Sequence, residues 1–270
     1  MKIVVCVKQV PDTTEVKVDE KTGTLIREGV PSIINPFDQY AMEEGVRLQS
    51  LLAEGDEKPE VIALSMGPPQ ARTELMKCLA LGADRGILLT DRAFAGADTW
   101  VTALTLSLAI KQLDDVRLVL CGLQAIDGDT GQVGPELAQC LKMPQITYVE
   151  KIAVEENKIV AHRQTGEGYA VIESKPPVLL TLITPSDFVP TNPPFSKIMK
   201  AKKKPYEEWD IAKVEGNPDV LGLNGSPTQV KRVFPPPRQE KGIMIEGEPA
   251  EQVKQLVEHL SKDSYLSGGA

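Results

Sequence analysis

Short, nearly continuous apolar runs punctuate the first half of the chain, with stretches of helical spacing between them. The runs are Lys2-Ile-Val-Val-Cys-Val-Lys8, Glu60-Val-Ile-Ala-Leu-Ser-Met66, Arg85-Gly-Ile-Leu-Leu-Thr90 and Val116-Arg-Leu-Val-Leu-Cys121. Runs of this length without sustained alternation predict strands covered on both faces, the condition of a central parallel sheet. Asn35-Pro36-Phe37-Asp38 opens the first helix, with Asn35 as N-cap, Pro36 at the first helical position and Asp38 in the positive first turn. Tyr40, Ala41, Glu44, Val46, Leu48, Leu51 and Leu52 follow at imperfect helical spacing. Further helices are predicted over residues 69–81 and over about 99–112, the latter capped by Asp98. Residues 16–27 alternate around Thr22-Gly23 and read as a hairpin. Strand and helix alternate to about residue 142, which predicts an α/β fold: a doubly wound, mostly parallel, Rossmann-like sheet with right-handed crossovers.

The pattern changes after Pro144. Residues 147–173 carry shorter alternating runs with a turn at Glu155-Glu-Asn-Lys158, an antiparallel extension, and Pro177-Val-Leu-Leu-Thr-Leu-Ile183 returns to a buried strand. Beyond Pro185 prolines and lysines accumulate, including Lys200-Ala-Lys-Lys-Lys204 and Pro235-Pro-Pro237. Such a segment cannot build its own core. The expected division is therefore a nucleotide-binding α/β domain over 1–185, followed by a docking loop and an arm over 186–270. The arm would lie on another subunit and carry a short amphipathic helix near 249–261.

Gly122-Leu-Gln-Ala-Ile-Asp-Gly-Asp-Thr-Gly-Gln-Val-Gly-Pro135 follows the fourth run and leads into a helical pattern. A strand, a glycine-rich loop and a helix start together hold anions on backbone N–H groups. Four glycines in thirteen residues permit positive φ angles and close approach to a ligand. The loop has neither a Walker ending nor dinucleotide spacing, so its residues alone indicate an anion or nucleotide of unspecified kind. Asp127 and Asp129 would repel a phosphate beside them, unless they cap the backbone or accept from ribose hydroxyls. Ligands of such sheets lie beyond the carboxyl ends of the strands. Cys6, Asn35, Met66 and Gly122 all fall at or just past such ends, which predicts one shared crevice.

Composition narrows the function. A formal net charge of −8 argues against nucleic acid as the main partner, and no apolar run approaches the ~20 residues needed to span a bilayer. The N-terminus enters a strand at once, leaving no room for a signal peptide. Cys6, Cys78, Cys121 and Cys140 form no C-x-x-C pair and suit buried thiols in a reducing compartment, so a cytoplasmic location is expected. His162 and His259 are too few for a histidine-rich metal site, and no metal is expected. No serine or cysteine is paired with histidine as in a hydrolase, so no catalytic side chain is assigned. Redox work would have to come from a bound cofactor.

Taken together, Cys6-Val-Lys-Gln-Val-Pro-Asp12, Asn35-Pro-Phe-Asp38, Met66-Gly-Pro-Pro-Gln70, Leu81-Gly-Ala-Asp-Arg-Gly86, the 122–135 loop and Ile198-Met-Lys-Ala-Lys-Lys-Lys204 resemble the beta subunit of electron transfer flavoprotein nearly end to end. The resemblance implies a heterodimer with an alpha subunit, whose mobile domain carries an electron-shuttling FAD. The beta chain would hold a second nucleotide, lined by Cys6, Asn35, Pro36, Phe37, Asp38, Met66, Gly122, Leu123, Gln124, Ala125, Ile126, Asp127, Gly128, Asp129, Thr130, Gly131, Gln132 and Val133. Phe195 falls where the family places an apolar anchor for partner dehydrogenases. Asp127-Gly-Asp-Thr-Gly-Gln-Val-Gly-Pro135 looks like the electron-bifurcating branch, in which the second nucleotide is FAD reduced by NADH. Electrons then pass to a dehydrogenase, through the alpha subunit, and to ferredoxin or flavodoxin. The alternative is an ordinary carrier with structural AMP. A nucleotide-sensing stress-type module is a third reading, which the long arm disfavours. Gly166 and Ala170 depart from the family pattern, in a region expected to affect subunit packing.

Overall fold

The computed structural model describes residues 1–12, 31–53, 57–156, 158–231 and 242–262. The chain runs through β1 (Lys2–Cys6), β2 (Gln9–Pro11), β3 (Ser32–Ile34), α1 (Pro36–Leu51), β4 (Glu60–Met66), α2 (Arg72–Leu81), β5 (Arg85–Leu89), α3 (Thr99–Lys111), β6 (Val116–Gly122) and α4 (Val133–Leu141). It continues with β7 (Gln145–Glu155), β8 (Lys158–Thr165), β9 (Gly168–Ser174), β10 (Val178–Leu182), α5 (Phe195–Ala201), β11 (Tyr206–Trp209), α6 (Gly222–Gly225) and α7 (Pro249–Lys262). The strands and helices expected from the apolar runs are present with small shifts at their ends. The hairpin expected over 16–27 lies outside the described residues; β2 and β3, which flank them, pair antiparallel.

Among the described residues the main sheet has nine strands in the order β11-β5-β4-β1-β6-β10-β7-β8-β9. Pairing is parallel from β11 through β7 and antiparallel from β7 through β9. The parallel strands alternate burial on two faces, as the continuous runs require. Ile3 and Val5 pack with Leu120, Leu180, Tyr40, Leu48 and Leu75 on the side of α1 and α2. Val4 and Cys6 pack with Cys121, Val101, Leu106 and Leu137 on the side of α3 and α4. Asp98 caps α3 by accepting from the Val101 N–H (3.1 Å).

The chain leaves β1 toward β4 and β5, then returns past β1 to β6, and the next connection leads away from β1. The sheet therefore switches direction between β1 and β6, where open α/β sheets form their ligand crevices. Met1–Arg232 is one compact unit and Val233–Ala270 a second. Tyr206–Trp209, a strand unanticipated in the proline-rich stretch, adds to the β5 edge, and Trp209 is buried. The basic run is also partly structural: Lys204 Nζ donates to the carbonyls of Leu79 (3.0 Å) and Ala83 (2.6 Å) at the negative end of α2.

Candidate functional site

The crevice is built where β1 and β6 end side by side, with Cys6 in register with Cys121 and, on the other side, with Leu64 of β4. The start of α1 crosses these ends and is stitched to both. Asn35 is fully buried, and its side chain does not cap α1. Asn35 Nδ2 donates instead to the Gln124 carbonyl (2.8 Å), and Oδ1 accepts from the Ile126 N–H (3.2 Å). Asp38 likewise does more than favour a helix dipole: Oδ2 accepts from the Lys8 N–H (2.8 Å) and Oδ1 from the Gly122 N–H (3.1 Å). The capping expected of Asn35 is thus replaced by a cross-link to the loop. Burial pushes the Asp38 carboxyl up to about 7, although the Lys8 and Gly122 N–H groups, the Asn35 side chain and the Lys8 charge all pull it down.

Two glycines follow from this closeness. A Cβ at Gly122 would fall on Asp38 Oδ1 and 2.7 Å from Phe37 Cβ. At Gly134 it would strike the Thr181 methyl group, so α4 could not approach β10.

Past Gly122 the loop turns tightly, with the Ala125 carbonyl accepting from the N–H groups of Gly128 (3.2 Å) and Asp129 (2.8 Å). Asp129 and Gly131 take positive φ angles of 53° and 63°. Among the described residues no acceptor meets the N–H groups of Thr130, Gly131, Gln132 and Val133, which precede or open α4. Gly128, Asp129, Thr130 and Gln132 are exposed. A Cβ at Gly128 would meet nothing within 4 Å. The two carboxylates are engaged within the protein: Lys8 Nζ contacts Asp127 Oδ1 at 2.6 Å, and Gln124 Nε2 donates to Asp129 Oδ1 at 2.7 Å. Among the described residues neither carboxylate accepts from a backbone N–H, and only Asp127 is met by a cation. Lys8 joins the candidate site through this contact and was not among the residues expected there; its sequence signals are its place just past a strand end and within the Cys6–Asp12 motif.

Cys6 is buried at the tip of β1 on the α3/α4 side, in register with Cys121 of β6, and both are free cysteines. Met66 is half-buried at the tip of β4, Pro36 is exposed, and Leu123, Gln124 and Ala125 are half-buried. Ile126 exposes its apolar side chain on the loop. These residues and the amide row fit a nucleotide: donors for phosphate, open space at Gly128 and an apolar surface beside it. Phe195 stands apart from this group. It begins α5, is 76% exposed, and lies one turn from Ile198 and Met199, which are also exposed.

Comparison with known proteins agrees with this arrangement. The model of the electron transfer flavoprotein domain matches residues 22–214. The caffeyl-CoA reductase-Etf complex subunit CarD of Acetobacterium woodii is 51% identical over 268 residues, covering 98% of this chain and 100% of that protein. The electron transfer flavoprotein subunit beta of Thermoanaerobacterium thermosaccharolyticum is 47% identical over 97% of this chain and 98% of its own length. The acryloyl-CoA reductase electron transfer subunit gamma of Anaerotignum propionicum is 38% identical, over 98% of this chain and 100% of its own. With a switch-point crevice, a stitched glycine loop and likeness along nearly its whole length, the chain belongs to the electron transfer flavoprotein family, in its beta-subunit line.

Proposed function

We propose that this chain is the beta subunit of an electron-bifurcating flavoprotein, holding FAD in the crevice between the ends of β1 and β6. One observation carries the reading. The loop over Gly122–Val133 is fixed from below by Asn35, Asp38 and Lys8, while the amides of Thr130 to Val133 keep no acceptor among the described residues. A preorganised amide row at a helix start suits a diphosphate.

In this reading Cys6, Asn35 to Asp38, Met66 and Gly122 to Val133 form the nucleotide site. The bound FAD supplies the redox chemistry that the side chains lack. The chain's own residues bind the diphosphate, orient the nucleotide and shield it. NADH is the electron donor, and ferredoxin or flavodoxin is one acceptor. The other is a flavin-dependent dehydrogenase or reductase acting on a CoA thioester, the class to which the names of two relatives point. Phe195, Ile198 and Met199 offer that enzyme an exposed apolar patch. The arm, whose helix α7 exposes Val253, Leu256 and Val257 at helical spacing, serves the alpha subunit in a cytoplasmic heterodimer.

Nucleotides released by denaturing the purified heterodimer test the proposal. FAD in both sites and no AMP is the expected result. Equal amounts of FAD and AMP would assign an ordinary carrier subunit and overturn bifurcation.

A further inference from the structure

Lys8 is the one cation bonded to the glycine loop among the described residues. We infer that Lys8 is a positioning residue of the nucleotide site: it holds and neutralises Asp127, so that incoming phosphates meet backbone amides and not a free carboxylate. The inference rests on the reading of 122–133 as a phosphate-binding loop.

The backbone of Lys8 is fixed on both sides, its N–H donating to Asp38 Oδ2 (2.8 Å) and its carbonyl accepting from the Asn35 N–H (2.9 Å). That leaves the side chain one task, reaching Asp127 at 2.6 Å across 119 residues of sequence. The pair is lopsided: the Lys8 side chain is 49% exposed and that of Asp127 only 11%. A carboxylate so shielded interacts strongly with any anion placed near it, because little water intervenes. Asp127 directly precedes Gly128, where the loop opens, and lies just before the amide row of Thr130 to Val133. Asp129, the other carboxylate of the loop, is met among the described residues only by the neutral amide of Gln124. A half-exposed ion pair contributes little to folding. Its consequence lies in the charge that a phosphate encounters.

A double-mutant cycle tests this on the heterodimer, stripped of nucleotide and titrated separately with FAD and AMP. Lys8→Met should weaken binding at least about tenfold with Asp127 present, and less than about threefold in an Asp127→Asn background. Equal losses in both backgrounds, or no loss in either, would overturn the inference alone. A wild-type protein that takes up neither nucleotide would overturn the nucleotide reading and the inference with it. If Lys8→Met does not assemble, Lys8→Gln carries the same cycle.

Discussion

A Cβ at position 122 would have to occupy space already filled by Asp38 Oδ1 and Phe37 Cβ, whereas one at position 128 would meet no atom of the described residues within 4 Å. The two glycines therefore separate folding from ligand binding. Gly122→Ala should lower the free energy of unfolding by about 1–3 kcal/mol, the usual cost of overpacking a tight contact. Gly128→Leu should leave stability within about 0.5 kcal/mol, as for surface positions, while reducing nucleotide content. Thermal unfolding and nucleotide extraction check both, and unchanged content in Gly128→Leu would mean that the site is misplaced. Asp38 allows a second test at this scale. Burial pushes its carboxyl up to about 7 in the folded protein, against the pull of the Lys8 and Gly122 N–H groups, the Asn35 side chain and the Lys8 charge. The ordinary value is about 3.9. The folded state therefore keeps a proton that the unfolded chain releases, and stability from this group falls as pH rises from about 4 through about 7. Asp38→Asn should remove that slope. Parallel curves of stability against pH for the two proteins would exclude the assignment.

The elements most legible in the sequence were those whose burial pattern is itself a sequence pattern. β1, β4, β5, β6 and β10 are buried on both faces and appear as apolar runs; α3 follows a capping aspartate. β11 was not legible. Tyr206–Trp209 is four residues long, lies among prolines and lysines, and is a strand only because the β5 edge is there to pair with it. The candidate site was half legible. Strand ends and glycines located the crevice, because ligands of open sheets gather there. The stitching was not readable, since Asn35 gives the same N-cap signal whether its side chain caps α1 or reaches the loop 89 residues away. Lys8 and Asp127 are silent for the same reason: ion pairing depends on a closeness that only the fold creates.

For the whole molecule, chemistry and scaffold are divided. The sheet supplies rigid strand ends, one loop offers amides, and apolar surface remains on α5 and, in the second unit, on α7. No helix among the described residues is long and apolar enough to cross a membrane. Under the proposed function, this layout serves a subunit that positions a cofactor and meets partners, with redox chemistry left to the nucleotide. In the proposed function, main-chain amides following β6 hold the phosphates of that nucleotide. An experimental structure of the heterodimer with its native nucleotide measures this directly. Phosphate oxygens should lie about 2.7–3.2 Å from the N–H groups of Thr130 to Val133. Phosphates bound elsewhere, or a ligand without phosphate in the crevice, would contradict it.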